Sequence, residues 1–254
     1  MHFDTAFNVK PTGGSMRGRT LPIRYAEALR SRAVTLRDDG THYVYLLATM
    51  VFFMMAGPIV SQWRGGHLIM QISITTVLIT SVLAASEHRS RLVFVATLAG
   101  VTLVSHWSDH FLHEPNWLRY PPLISGLLFF FLVVLALFRN IFTQRDHITV
   151  GFLCGAANVY FLLAILFAYA LALVDIAIPG SYEGQGITRI AGETRLAPFL
   201  YFSFTTLTTL GYGDIVPANR LAGMLTSLEA VTGQIYLAIL VGRLVGMRVV
   251  KNSS

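Results

Sequence analysis

Charge is scarce in this sequence. Asp, Glu, Lys and Arg make up 13% of its 254 residues, where a soluble globular chain carries about a quarter. The shortage excludes an ordinary water-facing surface over most of the chain, and apolar residues at 54% point to the bilayer as solvent. Cysteine is almost missing. The single Cys154 excludes an intrachain disulfide and a multi-cysteine metal site, and inside an apolar run it reads as a small packing residue. No nucleophile–base pair, phosphate-binding glycine loop or metal tetrad appears, so neither an enzyme nor a cofactor is expected. The net charge of +6 is no nucleic-acid footprint, because the basic residues gather at the N-terminus and at the ends of apolar runs. There they act as topogenic charge.

Residues 1–40 are polar and basic and lack the apolar core of a signal peptide. Pro11 to Arg19 reads as disordered. Ile23 to Asp38, with Arg24, Arg30, Arg32 and Arg37, is either an interfacial helix on anionic lipid or a solvated tail. Five long apolar stretches follow: Tyr43–Val60, Leu68–Ala85, Leu123–Phe138, Val150–Val174 and Leu221–Met247. A weaker one, Leu92–Trp107, falls short of the roughly 20 residues that cross hydrocarbon unless extended through Ser108–Leu112. Counting it gives six spans. Each must be helical, since lipid offers the backbone no hydrogen-bond partner. Arginines cluster before the first span, in the loops holding Arg89, Arg91, Arg139 and Arg145, and at the C-terminal end. Both termini of this multi-pass cell-membrane protein are therefore expected in the cytoplasm.

Between the fifth and sixth spans lies a Gly-rich polar loop, Asp175 to Arg195, then a short aromatic and hydroxyl-rich stretch, Ala197–Thr208. Pro198 near its start suits a first helical turn, and its length is too short to span. It is predicted to re-enter from outside and leave through the extended Thr209–Asp214. A dehydrated cation needs rings of backbone carbonyls in place of its water. Pointing successive carbonyls at one axis requires residues of alternating hand, which glycine supplies at Gly211 and Gly213. One such segment cannot enclose an ion, so several copies must meet around one axis.

The run from Ser203 to Asp214, with Thr209-Leu210-Gly211-Tyr212-Gly213-Asp214 at its end, closely resembles the potassium channel family, whose filters read Thr-Val-Gly-Tyr-Gly followed by Asp. The resemblance covers Val150 to Met247. It implies a homotetramer with K+ as permeant ion and membrane lipid as surroundings. Residues 209–213 would line the filter, with the Tyr212 ring turned off axis against Tyr201 and Phe202. Leu210 stands where Val is commoner. Thr205 occupies a position where some bacterial relatives carry Glu, so a carboxylate pair with Asp214 is not available. Family spacing makes Gly233 an inner-helix hinge, or alternatively a close-packing residue, and turns Gln234, Leu237 and Val241 to the cavity.

Glu229 sits about 140° around the helix from Gln234, at 100° per residue. An ionisable group at that depth is costly and marks a functional hypothesis. It is predicted to face the pore helix and to hydrogen-bond Thr205, Thr206 or Tyr201, bracing the filter; the alternative is an Arg-paired or protonated packing residue. His106, Asp109, His110 and His113 share a helical face, which fits a zinc or proton site or a polar span end. Leu123–Phe138 has no arginine, whereas a voltage sensor needs several. Only seven residues follow Met247, so no cyclic-nucleotide or ion-sensing domain is expected there.

The expectation is thus an all-α membrane protein of six transmembrane helices, with a re-entrant pore helix and filter between the fifth and sixth. Residues 1–40 form a cytoplasmic segment, 41–147 a four-helix domain resembling a voltage sensor without gating charges, and 148–254 the pore domain. Its expected function is potassium conduction without strong voltage gating. A less selective cation channel and a non-conducting regulatory subunit remain the alternatives.

Overall fold

Long apolar runs in lipid have one local solution, a helix that satisfies its own backbone. The computed structural model describes residues 40–60, 66–85, 89–111, 120–143, 149–184, 187 and 196–252; the expectations for residues 1–39 fall outside them. Seven helices occur among these residues: α1 (Thr41–Val60), α2 (Gly66–Ala85), α3 (Arg89–Phe111), α4 (Tyr120–Thr143), α5 (Val150–Ala177), the short α6 (Leu196–Leu207) and α7 (Arg220–Asn252). Three are long and apolar enough among the described residues to cross a membrane: α4, α5 and Arg220–Met247 of α7. The described apolar parts of the first three are shorter, at Thr41–Met55, Ile72–Ala84 and Val95–Ser105.

The chain is mostly helical rather than wholly so. Strands β1 (Tyr182–Gly184) and β2 (Ile215–Pro217) pair antiparallel, with Tyr182 opposite Pro217 and Gly184 opposite Ile215. Three-residue strands carry no period to read, so neither was legible in the sequence. Gly184 has φ +146°, and a Cβ there would stand 2.0 Å from the Asp214 carbonyl oxygen. Only glycine lets β1 lie this close to the end of the filter segment.

Helix α5 is the hub and packs on α1, α4, α6 and α7. Its Val159, Leu162, Ala164, Ala168, Leu171 and Ala172 are fully buried, and the small residues among them allow close approach. Thr149 caps its start, accepting a hydrogen bond from the Phe152 amide at 3.1 Å. Asn158, also fully buried, donates to the Tyr43 carbonyl at 2.7 Å and ties α1 to α5. Hydroxyls join the other helices: Thr49 meets Thr80 at 3.2 Å, and Ser105 meets Ser125 at 3.3 Å. Helix α4 runs past the expected Leu123–Phe138 at both ends and takes in Arg139, which is exposed.

Candidate functional site

The site is built on α6. Its Ser203 hydroxyl lies 2.6 Å from the Ala164 carbonyl of α5, and the Phe204 ring meets Phe161 edge-on at 5.6 Å. The Tyr160 hydroxyl of α5 donates to the Leu207 carbonyl at 2.9 Å, satisfying one of the acceptors that a helix end leaves open. On the other side a Cβ at Gly233 would stand 2.5 Å from the same oxygen. The last turn of α6 is thus gripped from two helices.

Where α6 ends, the Thr209 amide donates to the Thr206 carbonyl at 2.9 Å and the Leu210 amide to the Thr205 carbonyl at 2.8 Å. These are the two bonds of a Schellman C-cap, and Thr209 occupies the left-handed position usually held by glycine. Its φ is 60°, which costs a β-branched residue on the order of 1–3 kcal/mol. The Gly211 amide also donates to the Thr205 carbonyl, at 3.1 Å. Positive φ then recurs at every second residue, Thr209, Gly211 and Gly213, with 60°, 51° and 78°. Leu210 and Tyr212 between them are not of that hand. Among the described residues no hydrogen bond ends on a carbonyl from Thr209 to Gly213. The segment therefore anchors its first amides to α6 and leaves a row of backbone oxygens uncommitted.

Around it, the Tyr212 ring lies parallel to Tyr201 at 6.5 Å and 6°. The Tyr201 hydroxyl donates to Asp214 Oδ2 at 2.8 Å, and Asp214 Oδ1 accepts from the Ile215 amide at 3.1 Å. Phe202 does not join this stack; its ring meets Tyr182 at 5.7 Å. Thr205 turns its hydroxyl back to the Phe202 carbonyl at 2.9 Å.

Glu229 is fully buried against α6, but its hydrogen-bond partner there is Ser203. That corrects the expected Thr205, Thr206 or Tyr201. The hydroxyls of Thr205 and Tyr201 are taken up at Phe202 and Asp214, and Ser203 is the α6 hydroxyl that turns between α5 and α7. Gly233 packs on Leu207, and α7 runs unbroken through it. Gln234, Leu237 and Val241 lie together on the exposed side of α7. The side chains of His106, Asp109, His110 and His113 fall outside the described residues.

Ser203, Tyr160, Tyr182 and Gly184 were not singled out from sequence. The hydroxyl-rich α6 contained Ser203, but nothing in the sequence says which of its hydroxyls meets Glu229.

Residues 148–249 match the model of a family described as ion channels. That stretch is similar to an ion channel domain. It runs from just before the α5 cap through α6, the Thr209–Asp214 segment and nearly all of α7. The family is one of channels, not of enzymes. No curated protein and no solved structure matches the chain significantly.

Proposed function

We propose that the protein is a potassium-selective channel subunit that acts as a homotetramer. Residues Thr209, Leu210, Gly211, Tyr212 and Gly213 form one quarter of its filter. The observation that carries this reading is the alternating backbone hand from Thr209 to Gly213, with its carbonyls uncommitted. Such a row replaces the hydration shell of a cation only when several copies close around one axis. The exposed apolar face of α7, with Met224, Leu228, Val231, Ile235 and Ile239, supplies surface for that closure as well as for lipid. In this reading α1 to α5 and α7 are the six spans and α6 re-enters from outside. Both termini are cytoplasmic, in the cell membrane. The absence of arginine from α4 before Arg139 argues against strong voltage gating.

The test is single-channel recording of purified protein under opposed K+ and Na+ gradients. A reversal potential at the K+ value is expected. One near zero would replace this reading with a nonselective cation pore, and no current would leave a non-conducting subunit.

A further inference from the structure

Two oxygen–oxygen contacts meet at the Ser203 hydroxyl. One is to the Ala164 carbonyl at 2.6 Å, the other to Glu229 Oε1. Each contact needs a hydrogen, because two bare oxygen acceptors repel at that range. Serine carries one hydroxyl hydrogen and the carbonyl carries none. The second hydrogen must come from Glu229. With Glu229 protonated, its carboxyl donates to Ser203 Oγ, Ser203 donates to Ala164, and both contacts are satisfied. With Glu229 ionised, one of them holds no hydrogen.

The surroundings agree. Glu229 is fully buried, and its Oε2 has no hydrogen-bond partner among the described residues. That is tolerable for the carbonyl oxygen of a neutral acid and costly for half of a carboxylate. Ser203 from α6 bonds it and Tyr182 from β1 lies within its electrostatic reach; next to these stand the Ala164 carbonyl of α5, against Ser203, and Thr226 one turn earlier on α7, beside Tyr182. Asp175 at the end of α5 stands behind Tyr182, accepting its amide at 3.3 Å. Two turns further along α7, the Tyr236 hydroxyl is committed to the Ala156 carbonyl. None of these is a cation that would compensate an ionised Glu229.

We infer that Glu229 is a proton-binding site whose neutral carboxyl, through Ser203, holds α7 and α5 to the pore helix, so that loss of its proton loosens the support of the Thr209–Asp214 segment. The consequence for conduction rests on the channel reading; the proton site does not. Ionisation would pull the Ser203 hydrogen from Ala164 to Glu229, leaving the first contact repulsive. It would also place an unpaired charge where no cation stands among the described residues.

The experiment is infrared difference spectroscopy of the full-length protein at neutral pH, with Glu229→Gln and Ser203→Ala. Wild type should show the carbonyl-stretch band of a protonated carboxylic acid, and Glu229→Gln should lose it. Ser203→Ala keeps the acid but removes its acceptor, so the band should move to higher frequency; this arm stands even if Glu229→Gln does not fold. A wild type without the band, a band that survives Glu229→Gln, or one unmoved by Ser203→Ala would each overturn the inference. In liposomes, wild-type K+ flux should fall as rising pH removes the band, and that pH dependence should be lost in Glu229→Gln. Flux insensitive to the band's disappearance would overturn the link to filter support. A spectral failure leaves the channel reading intact, and a lack of K+ current leaves the proton site intact.

Discussion

Gly233 of α7 lies so close to the Leu207 carbonyl oxygen of α6 that a Cβ added to it would stand 2.5 Å away. The obstacle is backbone, and that carbonyl is already held by Tyr160, so it cannot swing aside. In Gly233→Ala the clash costs about 1–3 kcal/mol, against about 1 kcal/mol gained in helix propensity. The clash wins. We expect a net destabilisation, read as a lower thermal unfolding temperature in detergent; a variant as stable as the wild type would show that this approach is not required.

Tyr201 holds Asp214 through one hydrogen bond of 2.8 Å while its ring lies against Tyr212. Tyr201→Phe removes the bond and keeps the ring. A bond of this kind contributes about 1 kcal/mol, less where water competes. On the proposed channel reading, shorter conducting bursts at unchanged single-channel amplitude are expected in planar bilayers. Unchanged burst lengths would mean that the Tyr201–Asp214 pair does not support the proposed filter.

The Arg243 guanidinium lies 4.8 Å over the Phe142 ring of α4 and 5.4 Å from Phe152 of α5. It joins the end of α7 to both helices. Arg243→Lys keeps the charge but loses the planar face that stacks on the rings, at a cost of about 0.5–2 kcal/mol. Thermal unfolding should show this loss for Arg243→Lys and for Phe142→Leu. The double variant should lose less than the sum, because both changes cut one interaction; strict additivity would mean that the stacking contributes nothing.

Burial pushes the Tyr182 phenol up to about 12 from its ordinary 10.0. Below pH 10 it is neutral whether the chain is folded or unfolded. Between about 10 and 12 the unfolded chain releases this proton while the folded one keeps it, so stability falls as pH rises through that window. Unfolding midpoints measured across alkaline pH should drop more steeply in wild type than in Tyr182→Phe. Parallel curves would mean that Tyr182 ionises as easily in the folded protein as outside it.

Much of the helical layout was legible because lipid leaves the backbone few choices. The expected Ala197–Thr208 and the observed α6, Leu196–Leu207, differ by one residue at each end. The weak stretch Leu92–Trp107 lies within α3, Arg89–Phe111. The left-handed backbone at Gly211 and Gly213 was legible too, since glycine tolerates it and a carbonyl-lined path requires it. Thr209 was not. Its positive φ comes from the Schellman cap, where hydrogen bonds to Thr206 and Thr205 override the preference of a β-branched residue.

The sequence alone thus settled a mostly helical chain with a glycine-alternating segment before its last helix, because composition and local backbone preference govern both. Tertiary structure decided that Ser203 receives Glu229, that Tyr160 and Gly233 share the Leu207 carbonyl, and that β1 pairs with β2. Ser203 and Glu229 are 26 residues apart, and Tyr160 and Leu207 are 47 apart. No local period encodes such meetings; they follow from how closely α5, α6 and α7 pack.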